Sequence, residues 1–372
     1  MIIYLITFGL TLFYVVFLFW SLNHWLKIRD KSQDDLKVNN IKVAIVIAAR
    51  NEEANIPILL QSLIIQSYPK DNFQIIVSDD HSTDNTIKIT ENIFKENNIK
   101  NGKCLSSPKE SKKEALAYAI RNAEAELIIT TDADTTMDKD WLSSMVQEYV
   151  ITGAYLICGP VKLIGQNNIF EKLQSIEFAG LSGIGASGII ANLPMFCNGA
   201  NLAFSKKIFD EVDGYNHSLS CSGDDTQLML KIHKSYKDKI SFLKDSRAIV
   251  QTSVVKRKYD LLEQRKRWAS KIPNTLSGFT IFISVLVWLV HFFLLIYFIK
   301  ALMDFNILLL FLPLIMIAVS EIVLLKSIGK FFNGNIPSWL VIVALPFYCL
   351  YIVGVGLVAP FSTYQWKGRK VK

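Results

Sequence analysis

The 372-residue chain has only five cysteines and five histidines, and neither set shows ligand spacing. Cys104, Cys158, Cys197, Cys221 and Cys349 are scattered without a CxxC pair, and His24, His81, His217, His233 and His291 are equally dispersed. A disulfide framework and a zinc site are therefore not supported, and reduced thiols are expected. No GxGxxG or GxxxxGK[ST] occurs, which removes the dinucleotide fingerprint and the P-loop. With 51% hydrophobic and 20% charged residues, the chain is neither disordered nor collagen-like, and it is too charged to lie wholly in lipid. Charge is absent from Met1 to Leu26.

Apolar and charged residues are segregated. Three further apolar stretches occupy 279–299, 305–325 and 338–359, the middle one broken only by Glu321. Each approximates the ~20 residues a helix needs to cross the hydrocarbon core. The organisation expected is a transmembrane helix over 1–26, a globular domain over 38–275, a membrane domain of about three apolar helices over 279–359 and a basic tail over 360–372. The first stretch lacks a basic leader and a small-residue cleavage site and ends in Trp20, Trp25 and Lys27, which suit an uncleaved interfacial anchor.

The net charge of +7 is uneven. Lys256, Arg257, Lys258, Arg265, Lys266, Arg267 and Lys271 precede the second apolar stretch, and Lys367, Arg369, Lys370 and Lys372 follow the last, leaving the remainder slightly acidic. Basic flanks favour the cytoplasmic face and its anionic lipids, and Lys27, Arg29 and Lys31 agree. A multi-pass protein of the cell membrane with its globular domain in the cytoplasm is expected, in contact with membrane lipids and without a nucleic-acid partner. Four full crossings would put the basic tail outside, so one apolar stretch is open to a re-entrant or interfacial reading.

Within the globular domain, Ile41 to Ala49 is a β-branched apolar run followed by a helical pattern from Asn55 to Gln66. Phe73 to Val77 repeats the strand signal before a helix from Thr83 to Phe94, and Leu127 to Thr131 ends in Asp132-Ala133-Asp134. Alternating strands and helices predict an α/β fold with a mainly parallel sheet, whose ligands bind at the carboxyl ends of the strands.

Those strand ends carry the chemistry. Asp132 and Asp134 have the spacing to address one hard cation, Mg2+ or Mn2+, which takes one or two carboxylates and fills its shell with water and phosphates; a turn or cap is the plainer alternative. Asp79, Asp80 and Asp84 close the second strand, where a carboxylate can accept a nucleobase N–H, while Thr83 or Asp84 can instead cap the next helix. Arg50 or Glu52, in the segment Ala49 to Glu53, can reach the same nucleotide or lie in a solvated turn. Gly223-Asp224-Asp225 opens a helical pattern, so one carboxylate can act as general base or Asp224 can cap the helix. Gln264, Arg267 and Trp268 follow at QxxRW spacing: an arginine fork for a leaving pyrophosphate and an indole face for a sugar, or a basic interfacial helix. Gly180, Gly183, Gly185 and Gly188 lie in an apolar stretch unlike any phosphate loop, open to packing near an acceptor channel or the membrane surface.

Taken in order, ARNEE, VSDDHSTD, TDADT, NGANLAF, GDD and QxxRW resemble a membrane-integrated family 2 glycosyltransferase of the GT-A fold, over about 41–275. The chain is similar to the group containing cellulose, chitin and hyaluronan synthases and ceramide glucosyltransferase-like enzymes. The resemblance implies inverting transfer from a nucleotide sugar, usually a UDP-sugar. It implies that Ala48, Arg50, Glu52, Asp79 and Asp80 line the nucleotide pocket with Lys112 near it, that Asp132 meets the sugar or ribose and Asp134 the metal, and that Asp225 is the base. Asn198, Gly199, Ala200 and Asn201 match the acceptor-side loop, and Gln264, Arg267 and Trp268 would close over diphosphate and acceptor. Three positions depart from the pattern: Ser111 replaces a Gly before the motif lysine, His81 another Gly, and GDD stands for TED, with Asp224 in place of the Glu.

The membrane spans suggest a lipid-linked or glycolipid acceptor, with processive polysaccharide synthesis as the alternative. From other classes, a membrane-bound nucleotidyltransferase or an inactive nucleotide-sugar-binding scaffold remains to be distinguished.

Overall fold

In the computed structural model the described residues are 1–32, 38, 40–165, 168–216, 223–269, 277–304, 307–359, 364–366 and 369–371. Residues 218–222 before the GDD motif, with Cys221, and Lys271, Lys367 and Lys372 of the basic flanks lie outside them.

The chain divides into two compact units, Ile28–Ile169 with Phe196–Val254, and Met1–Lys27 with Phe170–Met195 and Val255–Lys372. The sequence reading keeps 38–275 together. The structure instead groups a segment from its middle, and everything from Val255 onward, with the apolar helices.

The α/β unit holds strands β1 (Val43–Ala49), β2 (Phe73–Asp79), β3 (Gly102–Ser106), β4 (Leu127–Asp132), β5 (Thr135–Met137), β6 (Leu156–Cys158), β7 (Val161–Ile164), β8 (Leu202–Ser205), β9 (Ile240–Phe242) and β10 (Val250–Ser253). Seven form a mixed sheet in the order β3-β2-β1-β4-β8-β6-β9, antiparallel only where β8 meets β4 and β6. A second sheet has the order β5-β10-β7. The continuous apolar runs of β1 and β2 follow from burial on both faces: Ile45, Ile47, Ile75 and Ile76 are at most 1% exposed, as are Leu59, Leu60 and Leu63 on the helix Ile56–Ile64. Each such side chain contributes roughly 1.5–3 kcal/mol on burial.

This order fixes where a ligand can bind. The chain runs outward from β1 to β3 and then returns to lay β4 on the other side of β1, so the sheet has a switch point between β1 and β4. Parallel register puts Ala48 opposite both Ser78 and Asp132, and Ala49 opposite Asp79. The acidic ends of β2 and β4 therefore flank the small-residue end of β1.

In the other unit, four helices are long and apolar enough to cross a membrane: Ile2–Lys27, Gly278–Met303, Phe311–Phe331 and Ser338–Val358. Glu321 is satisfied inside this unit, where the Tyr14 hydroxyl donates to its Oε1 at 3.0 Å. The glycine-rich stretch is a helix, Ile169–Ile190. A Cβ on Gly180 would come within 2.9 Å of Leu325, and one on Gly183 within 2.2 Å of Ile328. Ser187 Oγ donates to the Ser21 carbonyl at 2.8 Å. Small residues here admit neighbouring helices at close range, which is why the segment joins the apolar unit.

Candidate active site

Each acidic strand end is held by local chemistry. Arg50, just past β1, donates from Nη1 to the Asp80 carbonyl at 2.8 Å, and the Asp80 N–H donates to the Ala49 carbonyl at 2.8 Å. The ends of β1 and β2 are thereby laced together. Asn51 and His81 follow with φ of 52° and 60°, the left-handed region that turns the chain away from the sheet. Glu52 is 8% exposed; its N–H donates to Thr86 Oγ1 at 2.8 Å and its Oε2 accepts from Asn55 at 2.7 Å.

Asp84 accepts from the Thr86 N–H at 3.0 Å, so it organises the start of the helix Thr86–Glu96. Asp79 is different. It is 4% exposed, its Oδ2 accepts from the Ser82 N–H at 3.1 Å, and its Oδ1 is buried without a hydrogen-bond partner among the described residues. A buried carboxylate oxygen left open is costly unless a ligand donor meets it. Burial also raises the pKa of Asp80 against the attraction of Arg50.

Asp132 ends β4, and its Oδ1 accepts from Lys112 Nζ at 2.5 Å. Lys112 opens the helix Lys112–Arg121, so the motif lysine is the partner of the first aspartate. The turn from β4 to β5 is braced by Thr135 Oγ1 donating to the Asp132 carbonyl at 2.7 Å and by the Thr131–Thr135 hydroxyl pair at 2.9 Å. Hydroxyls hold the turn, leaving the carboxylates for other work. Thr252 Oγ1 approaches Asp134 at 3.5 Å. Loss of water around Asp134, then repulsion from Asp132 and Glu52, raise its pKa.

That local excess of negative charge, with oxygen donors only, fits a divalent cation. Among the described residues no group of three His, Cys, Asp or Glu side chains is arranged to hold a metal. Asp134 with Asp132 would supply the one or two carboxylates that suit Mg2+ or Mn2+ when phosphates complete the shell.

Asp225 lies in the first turn of the helix Asp224–Ser235, whose preceding Gly223 has φ of 95° and makes no side-chain cap. Its Oδ2 accepts from the Gly199 N–H and its Oδ1 from the Thr226 N–H, each at 2.9 Å. Thr130 Oγ1 on β4 donates to the Gly199 carbonyl at 2.7 Å. Asp225 is thus tied through one glycine to the strand that ends, two residues on, in Asp132. A Cβ on Gly199 would stand 3.4 Å from Asp225 Oδ2, in ordinary van der Waals contact. Tyr215, 5% exposed, has its phenol pKa pushed well up by burial, then by Asp224 and Asp225. It stays protonated beside them.

The 198–201 loop is divided. Asn198 Oδ1 accepts from the Ala200 N–H at 3.0 Å and caps the turn Gly199–Asn201. Asn201 is wholly buried. It is 0% exposed, donates to the Pro160 and Ala248 carbonyls at 2.8 and 2.9 Å, and accepts from Trp141 Nε1 at 3.0 Å. Its amide is engaged on both sides within the core, and Ala200 is 3% exposed beside it. Ala48 is half-buried near the end of β1.

Gln264, Arg267 and Trp268 lie on the helix Lys258–Ala269 in the other unit, spaced to share one helical face. The sequence reading overlooked Thr130, Tyr215 and Arg265. Arg265 enters there only as one of the basic residues flanking the second apolar stretch; it is 4% exposed.

Residues 44–213 match the family described as Glycosyl transferase family 2. A glucuronosyltransferase of Methanococcus voltae that acts on a dolichyl N-acetylglucosaminyl phosphate is 30% identical over 107 residues, which is 29% of this chain and 33% of that one. Poly-beta-1,6-N-acetyl-D-glucosamine synthase of Staphylococcus epidermidis is 26% identical over 231 residues, 61% of this chain and 53% of that one. The chain thus spans from a third to about half the length of these relatives. Among solved structures, a Pyrobaculum calidifontis mannosyltransferase with GDP-Man and Mn2+ superposes with a TM-score of 0.57 at 18% identity, covering 95% of this chain and 96% of its own. Residues 44–213 are a glycosyltransferase family 2 domain, an enzyme domain on the GT-A fold.

Proposed function

We propose that the chain is an inverting glycosyltransferase moving a sugar from a UDP-sugar to a lipid-linked or glycolipid acceptor at the cell membrane, with the α/β unit in the cytoplasm. The observation that carries this reading is the link Asp225–Gly199–Thr130, which ties a candidate base to the strand bearing Asp132 and Asp134.

In the proposed reaction Asp79, Asp80, Arg50, Glu52 and Ala48 hold the nucleotide, with the open Asp79 oxygen taking a donor N–H. Asp132, balanced by Lys112, orients the sugar or ribose. Asp134 would hold a divalent cation, whose chemistry there would be positive charge for the diphosphate. Asp225 accepts the proton of the acceptor hydroxyl as that oxygen bonds to the anomeric carbon and the bond to the nucleoside diphosphate breaks, with Asp224 beside it. Gln264, Arg267 and Trp268 attend diphosphate and acceptor.

The lipid-linked substrate in the name of the Methanococcus relative supports a lipid acceptor, and the polymer named for the staphylococcal relative supports processive synthesis as a second reading. The test is metal-dependent transfer from labelled UDP-N-acetylglucosamine and other UDP-sugars to membrane lipid extract. Release of nucleoside diphosphate with one sugar per acceptor is expected; long products would replace single transfer by polymerisation, and pyrophosphate release would indicate a nucleotidyltransferase.

A further inference from the structure

Helix Lys258–Ala269 carries charged residues in two quite different settings. Arg257 just before it is 86% exposed, its Nε 3.2 Å from Asp260. Arg265 is 4% exposed. A buried guanidinium persists only when its donors are matched, since desolvation costs several kcal/mol per ion. Here Nη2 donates to Glu177 Oε2 at 2.5 Å, Nε to the Tyr351 hydroxyl at 2.8 Å and Nη1 to Gln264 Oε1 at 2.9 Å. The Tyr351 hydroxyl donates in turn to Glu177 Oε1 at 3.2 Å, and the guanidinium carbon stands 4.1 Å from the centre of the Trp268 ring.

Two of these contacts anchor Arg265 to the helices Ile169–Ile190 and Ser338–Val358; the other two grip Gln264 and Trp268. Glu177 and Tyr351 alone would be served by a lysine. The third fork direction and the flat face are what only arginine provides.

We propose that Arg265 is the positioning residue of this helix: braced by Glu177 and Tyr351, it fixes the amide of Gln264 and the ring of Trp268. This rests on the proposed role of Gln264, Arg267 and Trp268 at diphosphate and acceptor. It also fixes the polarity of Gln264. Arginine donates only, so the amide oxygen faces Arg265 and the NH2 group is the end offered to a ligand. The matching ligand chemistry is an oxygen acceptor, a phosphate or sugar oxygen, rather than a donor N–H.

The test uses the full-length protein in detergent with 5-fluorotryptophan in place of its seven tryptophans. Trp268 is assigned in the 19F spectrum by Trp268→Phe. Arg265→Lys is expected to shift and broaden the Trp268 resonance while the other six hold, and to lower turnover of labelled UDP-N-acetylglucosamine onto lipid extract about 10–100-fold with the donor KM within about twofold. Arg265→Met with Glu177→Met removes both charges of the pair and separates position from stability: the melting temperature is expected to recover toward wild type while turnover stays low. An unmoved Trp268 resonance in Arg265→Lys, or turnover that returns with stability in the double variant, overturns the proposal. If Trp268→Ala transfers sugar as well as wild type, the role of the motif itself fails; if Trp268→Ala is inactive and Arg265→Lys is not, the positioning role alone fails.

Discussion

The two units treat carboxylates in opposite ways. Among the apolar helices, Glu321 meets Tyr14, and Glu177 meets Arg265 and Tyr351, so each carboxylate is hydrogen-bonded by other side chains of the same unit. At the strand ends of the α/β unit, Asp79 keeps an open oxygen and Asp134 sits in repulsion with Asp132 and Glu52. A medium without water demands internal pairing. A binding site does the reverse and leaves acceptors for what arrives.

The sharpest way to break this contrast is to neutralise the base. Asp225→Asn keeps one oxygen, enough for the Gly199 N–H or the Thr226 N–H but not both, so a modest loss of stability should accompany a fall in sugar transfer of about 10²–10⁴-fold. Wild-type transfer by this variant would remove Asp225 from the chemistry. Asp134→Asn should lower transfer by on the order of 100-fold and flatten its dependence on added Mn2+, whereas chelation of wild type should be reversed by Mn2+ or Mg2+.

Two smaller effects concern packing. Asn201→Ala leaves Trp141 Nε1 without its acceptor and takes a donor from the Pro160 and Ala248 carbonyls, the first of which keeps the Val250 N–H. A stability loss of about 3 kcal/mol is expected by denaturant titration, and a change below ~1 kcal/mol would return Asn201 to the ligand loop. In the apolar unit, Gly183→Ala places a methyl 2.2 Å from Ile328, which should lower stability by about 1–3 kcal/mol in thermal melts without changing donor affinity. Weakened donor binding in that variant would show that the contrast between the units is overdrawn.

Much of the α/β unit is legible in the sequence because its strands are buried on both faces and end in acidic turns: the apolar run and the carboxylates after it are adjacent in the chain. Helix starts were less so. The helix read from Thr83 begins at Thr86, because Asp84 and its neighbours build the turn first. The burial of Asn201 and Arg265 is not legible in the sequence for a common reason. Each is polar, and a polar residue's burial depends on partners far away in sequence, Trp141 and Pro160 for one, Glu177 and Tyr351 for the other. For Gly183 the sequence leaves open packing near an acceptor channel or the membrane surface, and the structure sets it against Ile328.

The most direct measurement is calorimetric titration of UDP into the purified protein with and without Mn2+. The account predicts binding that strengthens with Mn2+, loses that dependence in Asp134→Asn and persists in Asp225→Asn. UDP affinity indifferent to both Mn2+ and Asp134, or abolished with Asp225, would contradict it.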